Sequence, residues 1–229
     1  MSRDPFSTRL LAWYDAHGRK TLPWKRRRDP YRIWVSEIML QQTQVTTVIP
    51  YFERFIKRFP DIRTLARARP DSVLHLWSGL GYYARARNLH KAARQIVADH
   101  SGKFPRDIES VMRLPGIGRS TAGAILALAF HQPHAILDGN VKRVLARYHA
   151  IRAPLNRRDA TDQLWQLAER HTPHIRVTDY TQAIMDLGAT VCTRTNPDCA
   201  ACPVRTGCRA RKLGVPQNFP VTAKRKTLP

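Results

Sequence analysis

The sequence is poor in acidic residues and has no long apolar run. Its 229 residues include 17 Asp and Glu against 39 Lys and Arg, which gives a formal net charge of +22. No stretch reaches the roughly 18 apolar residues of a membrane span, and the first residues lack the apolar segment of a secretory signal. We therefore expect a soluble, intracellular protein with a polyanionic partner. Nucleic acid is the usual polyanion, and acidic lipid is the weaker alternative because no segment resembles a basic amphipathic surface helix.

Strand-like alternation of apolar and polar residues is also scarce, whereas helical periodicity recurs along the chain. The sequence therefore predicts an all-α fold. Asp4-Pro5 and Asp29-Pro30 mark two helix starts, because Asp caps a helix and Pro suits its first turn. Further helical stretches are 45–59, 89–97, 121–129, 141–148, 164–168 and 180–187. The periodicity breaks between 133 and 138, which predicts a crossing between two helical lobes.

Two Gly-x-Gly turns stand between helical stretches. The second turn, Gly116-Ile117-Gly118, precedes Arg119 and Ser120 and fits the helix-hairpin-helix pattern of DNA repair proteins. The first turn, Gly79-Leu80-Gly81, is a weaker echo of it. Glycines permit a close backbone approach, and the amides at the start of the next helix can hold a phosphate. The alternative is that these glycines only end a helix.

Cysteine is rare, and all four cysteines lie in one stretch with the spacing C-x6-C-x2-C-x5-C: Cys192, Cys199, Cys202 and Cys208. In an intracellular protein, thiols clustered in this way favour metal ligation over disulfides. Structural zinc usually joins two short Cys pairs across a longer gap, whereas a single loop with uneven spacing suits a 4Fe-4S cluster. The sequence therefore favours an iron-sulfur cluster, with zinc as the alternative.

Four runs, 22–24, 35–45, 77–85 and 136–143, together with the hairpin and the cysteine loop, resemble the MutY-type adenine DNA glycosylases. These belong to the helix-hairpin-helix DNA glycosylase superfamily, and the resemblance covers nearly the whole chain. It implies a six-helix lobe with the hairpin over 21–133, a cluster lobe over 1–20 and 134–213, and an active site in the cleft between them. Residues 214–229 are basic and aperiodic, which is typical of a tail or the start of a linker.

The resemblance implies removal of adenine mispaired with 8-oxoguanine or guanine from duplex DNA. Cleavage of that bond needs a proton donor for the base and an anion for the sugar. Glu37 lies on the apolar face of its helix, where burial would keep a proton available for adenine. Asp138 precedes a helix whose N-terminus favours its ionised form, and the family implicates Asn140 as its support. The alternatives are an ion pair for Glu37 and capping roles for Asp138 and Asn140.

Position 120 separates two kinds of enzyme. Relatives of the endonuclease III type carry a Lys there, which forms a Schiff base with the sugar and cuts the strand. Ser120 instead predicts a glycosylase that uses water, although some adenine glycosylases have Tyr at this position. Lys142 could trap the abasic product, but a phosphate contact suits it better. A glycosylase with lyase activity on oxidised pyrimidines and a non-catalytic protein that binds damaged DNA remain as alternatives.

Other positions resemble residues that handle the base and the DNA. Gln42 and Tyr82 resemble the family's wedge residues, with helix-end polarity and core packing as their alternatives. Gln182 resembles the contact to the adenine edge, and Trp24 could line the base pocket or lie in the core. Basic residues, among them 25–28, Arg85 and Arg87, are expected to contact phosphates.

Adenine glycosylases of this kind usually continue into a second domain that helps recognise 8-oxoguanine. This chain stops within what resembles the start of the linker, so it is either a shortened chain or a naturally short form. Discrimination for 8-oxoguanine over guanine is expected to weaken without that domain. The resemblance also predicts a monomer that works in the cytoplasm on the bacterial nucleoid.

Overall fold

The computed structural model describes residues 4–221, and all of its regular elements are helical. Within that range there is no β-strand, so the all-α prediction is confirmed. None of these helices is both long and apolar enough to cross a lipid bilayer. The chain divides into two compact units. We call Lys20–His131 the hairpin unit and the described residues on either side of it, 4–19 with 132–221, the cysteine unit.

The hairpin unit contains seven α-helices, rather than the six that the resemblance implies, and one 3-10 turn at Pro23–Lys25. The helices are α2 (Pro30–Leu40), α3 (Val45–Arg58), α4 (Ile62–Arg67), α5 (Pro70–Trp77), α6 (Ala84–His100), α7 (Ile108–Met112) and α8 (Arg119–Phe130). Among these, α4 and α7 are single short turns of six and five residues that periodicity could not reveal.

A single aromatic-rich core holds the hairpin unit together. Trp34, Phe52, Phe55 and Trp77 are each fully buried in it, and α2 packs against α3, α6 and α8. The apolar stripe of α3 forms one side of this core, as its periodicity predicts. This packing fixes α2, α5 and α7, and the chain turns described below follow directly after these three helices.

The cysteine unit contains five α-helices and a 3-10 turn at Pro216–Asn218 within the described range. The helices are α1 (Pro5–His17), α9 (Gly139–His149), α10 (Arg158–His171), α11 (Val177–Thr190) and α12 (Arg209–Lys212). The central helix, α11, packs against α1 and α9, and α9 also contacts α10 and α12. Residues 132–138, where the periodicity breaks, have no regular structure.

Side-chain capping explains where several helices begin. Asp4 accepts a hydrogen bond from the Ser7 amide at 3.0 Å, and Asp29 accepts one from the Tyr31 amide at 3.0 Å. Both helices carry Pro directly after the cap, so the two starts predicted from Asp-Pro are confirmed. Residues 222–229, which are half of the expected basic tail, lie outside the described range.

Candidate functional site

Asp138 is the N-cap of α9. Its Oδ1 accepts a hydrogen bond from the Val141 amide at 2.8 Å, and its Oδ2 lies 3.5 Å from Nδ2 of Asn140. Ile136 and Leu137, directly before it, are buried and fix the approach of the chain to the helix. Asp138 therefore caps α9, as one reading of the sequence predicts, and its carboxylate also lies beside Asn140, as the other reading requires.

Two opposing effects act on the pKa of Asp138. Burial raises this pKa above its usual range. Hydrogen bonds from the Val141 and Asn140 amides, the Arg143 charge and the Asn140 side chain lower it, but by less. The amides at the helix N-terminus thus favour the ionised form, as expected from the sequence, while desolvation opposes them and sets the net direction of the pKa shift.

Arg143 connects Asn140 to the backbone that leads into the cysteine loop. Its Nη2 donates to Oδ1 of Asn140 at 2.8 Å and to the Gly188 carbonyl at 2.6 Å. Its Nε donates to the Cys192 carbonyl at 2.8 Å. A continuous set of hydrogen bonds thus runs from Asp138 to the first cysteine, and it orients the Asn140 amide with its nitrogen toward Asp138.

Gly188 lets α11 approach α9 closely at Asn140. A Cβ atom at position 188 would lie 2.6 Å from Cβ of Asn140 and 3.0 Å from its Cα. Such distances require the backbone of one helix to shift. The absence of a side chain at Gly188 therefore permits the observed position of Asn140.

Glu37 lies on α2 in the hairpin unit, next to the buried residues Ser36 and Ile38. Its own side chain is partly buried, as the apolar face of the helix predicts. The two candidate carboxylates therefore come from different units of the chain. Their roles in catalysis stay predictions at this point.

Gln42 and Tyr82 occupy two exposed turns of the hairpin unit. Both have left-handed backbone conformations, with φ of 58° at Gln42 and 51° at Tyr82. Tyr82 is 61% exposed, which excludes core packing as its role. Trp24, by contrast, is 3% exposed and packs against Phe52 with ring centroids 5.4 Å apart, so its core alternative is the one that the structure contains.

The second Gly-x-Gly turn joins α7 to α8, which is the order of elements in a helix-hairpin-helix motif. Gly116 has a φ of +80°, and a Cβ there would lie 2.9 Å from Cβ of Asn88. Gly118 is the N-cap of α8 and has open space around it, and Arg119 and Ser120 form the first turn. Lys142 similarly lies in the first turn of α9. The other Gly-x-Gly turn, with Gly79 and Gly81 at positive φ, lies between α5 and α6.

Gln182 is buried on α11 beside an ion pair whose carboxylate is also buried. Its Nε2 donates to Oδ1 of Asp186 at 2.9 Å, and Asp186 is 1% exposed. Arg19 donates to Asp186 from its backbone amide and from Nε, both at 2.9 Å, and from Nη2 at 2.6 Å. Because a carboxylate paired with Arg only accepts hydrogen bonds, the Gln182 amide must turn its nitrogen toward Asp186. One donor of the amide is therefore already occupied, and the remaining end is the acceptor Oε1.

The four cysteines line one pocket of the cysteine unit. None of them forms a disulfide. Arg147 is 2% exposed beside them and donates to the Thr193 carbonyl at 2.6 Å and to the Arg194 carbonyl at 3.0 Å. Its Nη1 also lies 3.4 Å from Sγ of Cys192. Across residues 4–221, no group of three or more His, Cys, Asp or Glu side chains is arranged to hold a metal ion.

Comparison with known proteins assigns the chain to a family. Residues 35–170 match the family described as HhH-GPD superfamily base excision DNA repair protein, and this match covers more than half of the chain. The chain belongs to this superfamily.

Two adenine DNA glycosylases are similar to this HhH-GPD chain. That of Buchnera aphidicola subsp. Baizongia pistaciae is 49% identical over 205 residues, a match that covers 90% of the chain and 58% of the relative. That of Homo sapiens is 47% identical over 216 residues, covering 90% of the chain and 39% of the relative. The chain thus spans less than two thirds of either relative.

A solved structure supports the same fold. A thermostable thymine-DNA glycosylase matches this HhH-GPD chain with a TM-score of 0.81 at 27% identity, covering 91% of this chain and 95% of that one. The match extends over residues of both units, so the fold assignment does not depend on the hairpin alone.

Sequence reasoning misplaced one residue and missed others. Arg85, expected to contact phosphates, is only 9% exposed and donates to backbone carbonyls inside the hairpin unit, because the ends of two elements leave acceptors there. Asp186, Arg19 and Gly188 were not predicted. The i, i+4 spacing of Gln182 and Asp186 on one helix was the only local signal for any of them.

Proposed function

We propose that this HhH-GPD chain is a monofunctional glycosylase that removes adenine mispaired with 8-oxoguanine or guanine from duplex DNA. The observation that carries the proposal is Asp138, a partly buried carboxylate held by the helix amides and Asn140. It occurs in a chain that is 49% identical to an adenine DNA glycosylase over 205 residues. A structural cap alone needs neither burial nor a supporting amide, so this arrangement favours a chemical role.

The proposed reaction uses the two carboxylates in different protonation states. Glu37 donates its proton to adenine N7, which turns the base into a neutral leaving group as the N-glycosidic bond breaks. The Asp138 carboxylate stabilises the positive charge that develops on the sugar. Water then adds to C1′ and its proton returns to a carboxylate, so that free adenine and an abasic site are the products.

Ser120 supports hydrolysis rather than strand cleavage. A hydroxyl group cannot form a Schiff base with the sugar, whereas the amine of a Lys at this position could. Lys142, in the first turn of α9, suits a phosphate contact, since its charge adds to that of the helix N-terminus. The expected product therefore keeps both strands intact.

Duplex DNA is the proposed partner. The net charge of +22 supplies a sequence-independent attraction to phosphates. We propose that the DNA phosphates are held by the amides of Gly116, Gly118, Arg119 and Ser120. Gln42 and Tyr82 are proposed to enter the gap left by the flipped base. The exposure of Tyr82 and of Gln42 supports this second role.

Cys192, Cys199, Cys202 and Cys208 are proposed to hold a 4Fe-4S cluster. Each thiolate of such a cluster binds a different iron, so the four sulfurs need to surround a pocket rather than converge on one point. The uneven spacing of the four thiols within a single loop supports the cluster over zinc, and all four thiols line one pocket. The Arg147 guanidinium offsets the net charge of about −2 that an oxidised cluster with four thiolates carries. The group would supply cross-links to a loop that has little apolar surface to bury.

The test is a single-turnover assay on duplex DNA with adenine opposite 8-oxoguanine. We expect wild type to release adenine and both Glu37→Gln and Asp138→Asn to reduce the rate by at least about a hundredfold. Matched controls are Glu53→Gln on the exposed side of α3 and Asp61→Asn, which also caps a helix through its side chain. Because Asn caps a helix as well as Asp does, the caps survive in both Asp variants.

Several results would contradict the proposal. Absence of adenine release by wild type, or unchanged release in both carboxylate variants, rules out the assigned chemistry. A borohydride-trapped covalent complex formed in every turnover rules out the hydrolytic mechanism. For the cluster, about four irons per chain and visible absorption are expected, and stoichiometric zinc without iron contradicts the assignment.

A further inference from the structure

Arg85 is a buried cation at the start of α6, and both ends of its guanidinium group are occupied by the backbone. Nη1 donates to the Met39 carbonyl at 2.8 Å, to the Ile38 carbonyl at 3.2 Å and to the Gln41 carbonyl. These carbonyls belong to the end of α2, where the helix leaves acceptors without partners. Arg85 therefore closes the C-terminus of α2 in the way that a capping residue does.

The other end of the same group holds a second turn. Nη2 donates to the Gly81 carbonyl at 3.1 Å and to the Leu80 carbonyl at 3.3 Å, and it reaches Oγ1 of Thr43 at 3.2 Å. Nε1 of Trp77 also donates to the Gly81 carbonyl, at 3.1 Å. One planar cation thus joins the turn after α2 to the turn after α5, which are about forty positions apart in the sequence.

Each of these turns presents one strained, exposed residue. Gln42 directly follows Gln41, and Tyr82 directly follows Gly81, so Arg85 holds the carbonyl that precedes each of them. Left-handed backbone at a residue other than Gly is unfavourable and persists only where its surroundings enforce it. The Arg85 guanidinium carbon also lies 5.3 Å from the centre of the Tyr82 ring, a cation–π contact that favours this position of the ring.

We propose that Arg85 is a positioning residue that fixes Gln42 and Tyr82 relative to each other, so that the two side chains enter duplex DNA as a preformed pair. The inference rests on the proposed function, because it assumes that these two residues fill the space of a flipped base. A pair fixed before binding avoids the entropy loss of ordering two side chains and two turns at the moment of insertion. Arg85 itself touches no DNA in this arrangement.

Arg85→Lys is the informative substitution. Lys keeps the positive charge but lacks the planar fork, so it cannot bridge both turns. If two side chains must then be ordered on binding, affinity for DNA with a vacant base position should fall by about tenfold to a hundredfold. Arg94→Lys, on the exposed face of the same helix, is the matched control and should leave affinity unchanged.

The experiment measures binding to a duplex with a stable abasic analogue, tetrahydrofuran, opposite guanine, which requires insertion but no bond cleavage. Arg85→Lys is compared with wild type in two backgrounds, the natural one and Gln42→Ala/Tyr82→Ala. We expect the full loss of affinity in the natural background and almost none in the alanine background, because no pair is left to position. Thr43→Val, which removes one acceptor of Arg85, should show a smaller loss with the same dependence on background.

Equal losses in both backgrounds overturn the proposal, since Arg85 would then act through the general stability or charge of the unit. No loss in the natural background overturns it as well. If Arg85→Lys does not fold, the comparison rests on Thr43→Val, and equal losses there have the same meaning. Wild type that binds the analogue with the expected pattern but releases no adenine contradicts the proposed function and leaves the positioning role supported.

Discussion

Acid should loosen the cysteine unit through a hydrogen-bonded row of three side chains. Nε2 of His149 lies 2.9 Å from Nε2 of His171, and Nδ1 of His171 lies 2.9 Å from Oδ2 of Asp4. Asp4 caps α1, while the two histidines end α9 and α10. Since two imidazoles can share a hydrogen bond only while one of them is neutral, a second proton on this row breaks it.

The pKa of His149 gives the size and direction of the effect. Burial, followed by the charges of His171, Arg209 and Arg170, lowers this pKa from 6.5 to about 4. The folded pKa lies below the unfolded one, so the unfolded chain binds more protons in that window. The stabilisation is therefore complete above about pH 6.5 and is lost as the pH falls toward 4.

The full shift would correspond to about 3 kcal/mol, and we discount it to about 1 kcal/mol by pH 5 because His149 is partly exposed to solvent. The assay is urea unfolding at a series of pH values between about 7 and 5, for wild type and for His149→Gln. Gln keeps a hydrogen-bonding group near His171 but does not titrate. Wild type should lose about 1 kcal/mol more than the variant over this range.

His17→Gln, an exposed histidine at the end of α1, is the control and should follow wild type. Parallel pH dependence of wild type and His149→Gln would refute the reasoning, because the titration would then lie elsewhere. A greater acid sensitivity of the variant would refute its sign.

Three further outcomes are expected. Asp186→Asn should free the Gln182 amide to rotate and slow adenine release about fivefold, which corresponds to the loss of one hydrogen bond. The preference for adenine over hypoxanthine should also fall, and release rates together with unfolding curves check both effects. Gly116→Ala should lower the unfolding free energy by about 1–3 kcal/mol because of its positive φ and the contact with Asn88, whereas Gly118→Ala should leave stability unchanged and weaken only DNA binding. Affinity for duplex DNA should fall steeply with salt, by a slope of about −0.9 per neutralised phosphate in a log-log plot, and a flat response would contradict the proposed partner.

Helix starts and the hairpin turn were predictable because their causes are local. Asp4 and Asp29 each cap the helix that begins one residue later. The Pro that follows each of them occupies the first helical position, which is the helical position that suits Pro best. Gly116 similarly marks the turn before α8 through a backbone conformation that glycine adopts without strain. In each case the interacting atoms lie within a few residues of one another in the sequence, so the local sequence pattern is enough to predict the structure.

The environment of Arg85 was not predictable in the same way. A basic residue beside two tyrosines, in a chain with 39 Lys and Arg, has the local pattern of a phosphate contact. Its burial depends on carbonyls of α2 that lie more than forty residues earlier in the sequence. Nothing adjacent to position 85 indicates that these carbonyls need a donor, and only the packing of α2 against α6 brings them together.

Asp138 shows how a local motif and distant contacts jointly define a site. The cap and the helix amides follow from the sequence around position 138, yet burial opposes them and raises the pKa. The further support comes from Asn140, whose position depends on the close approach of Gly188 and on the Arg143 hydrogen bonds to α11 and to the Cys192 carbonyl. Displacing the backbone at Cys192 therefore removes one of the anchors of Arg143. Hydrogen bonds thus link the backbone of the cysteine loop to the Asp138 carboxylate through Arg143 and Asn140.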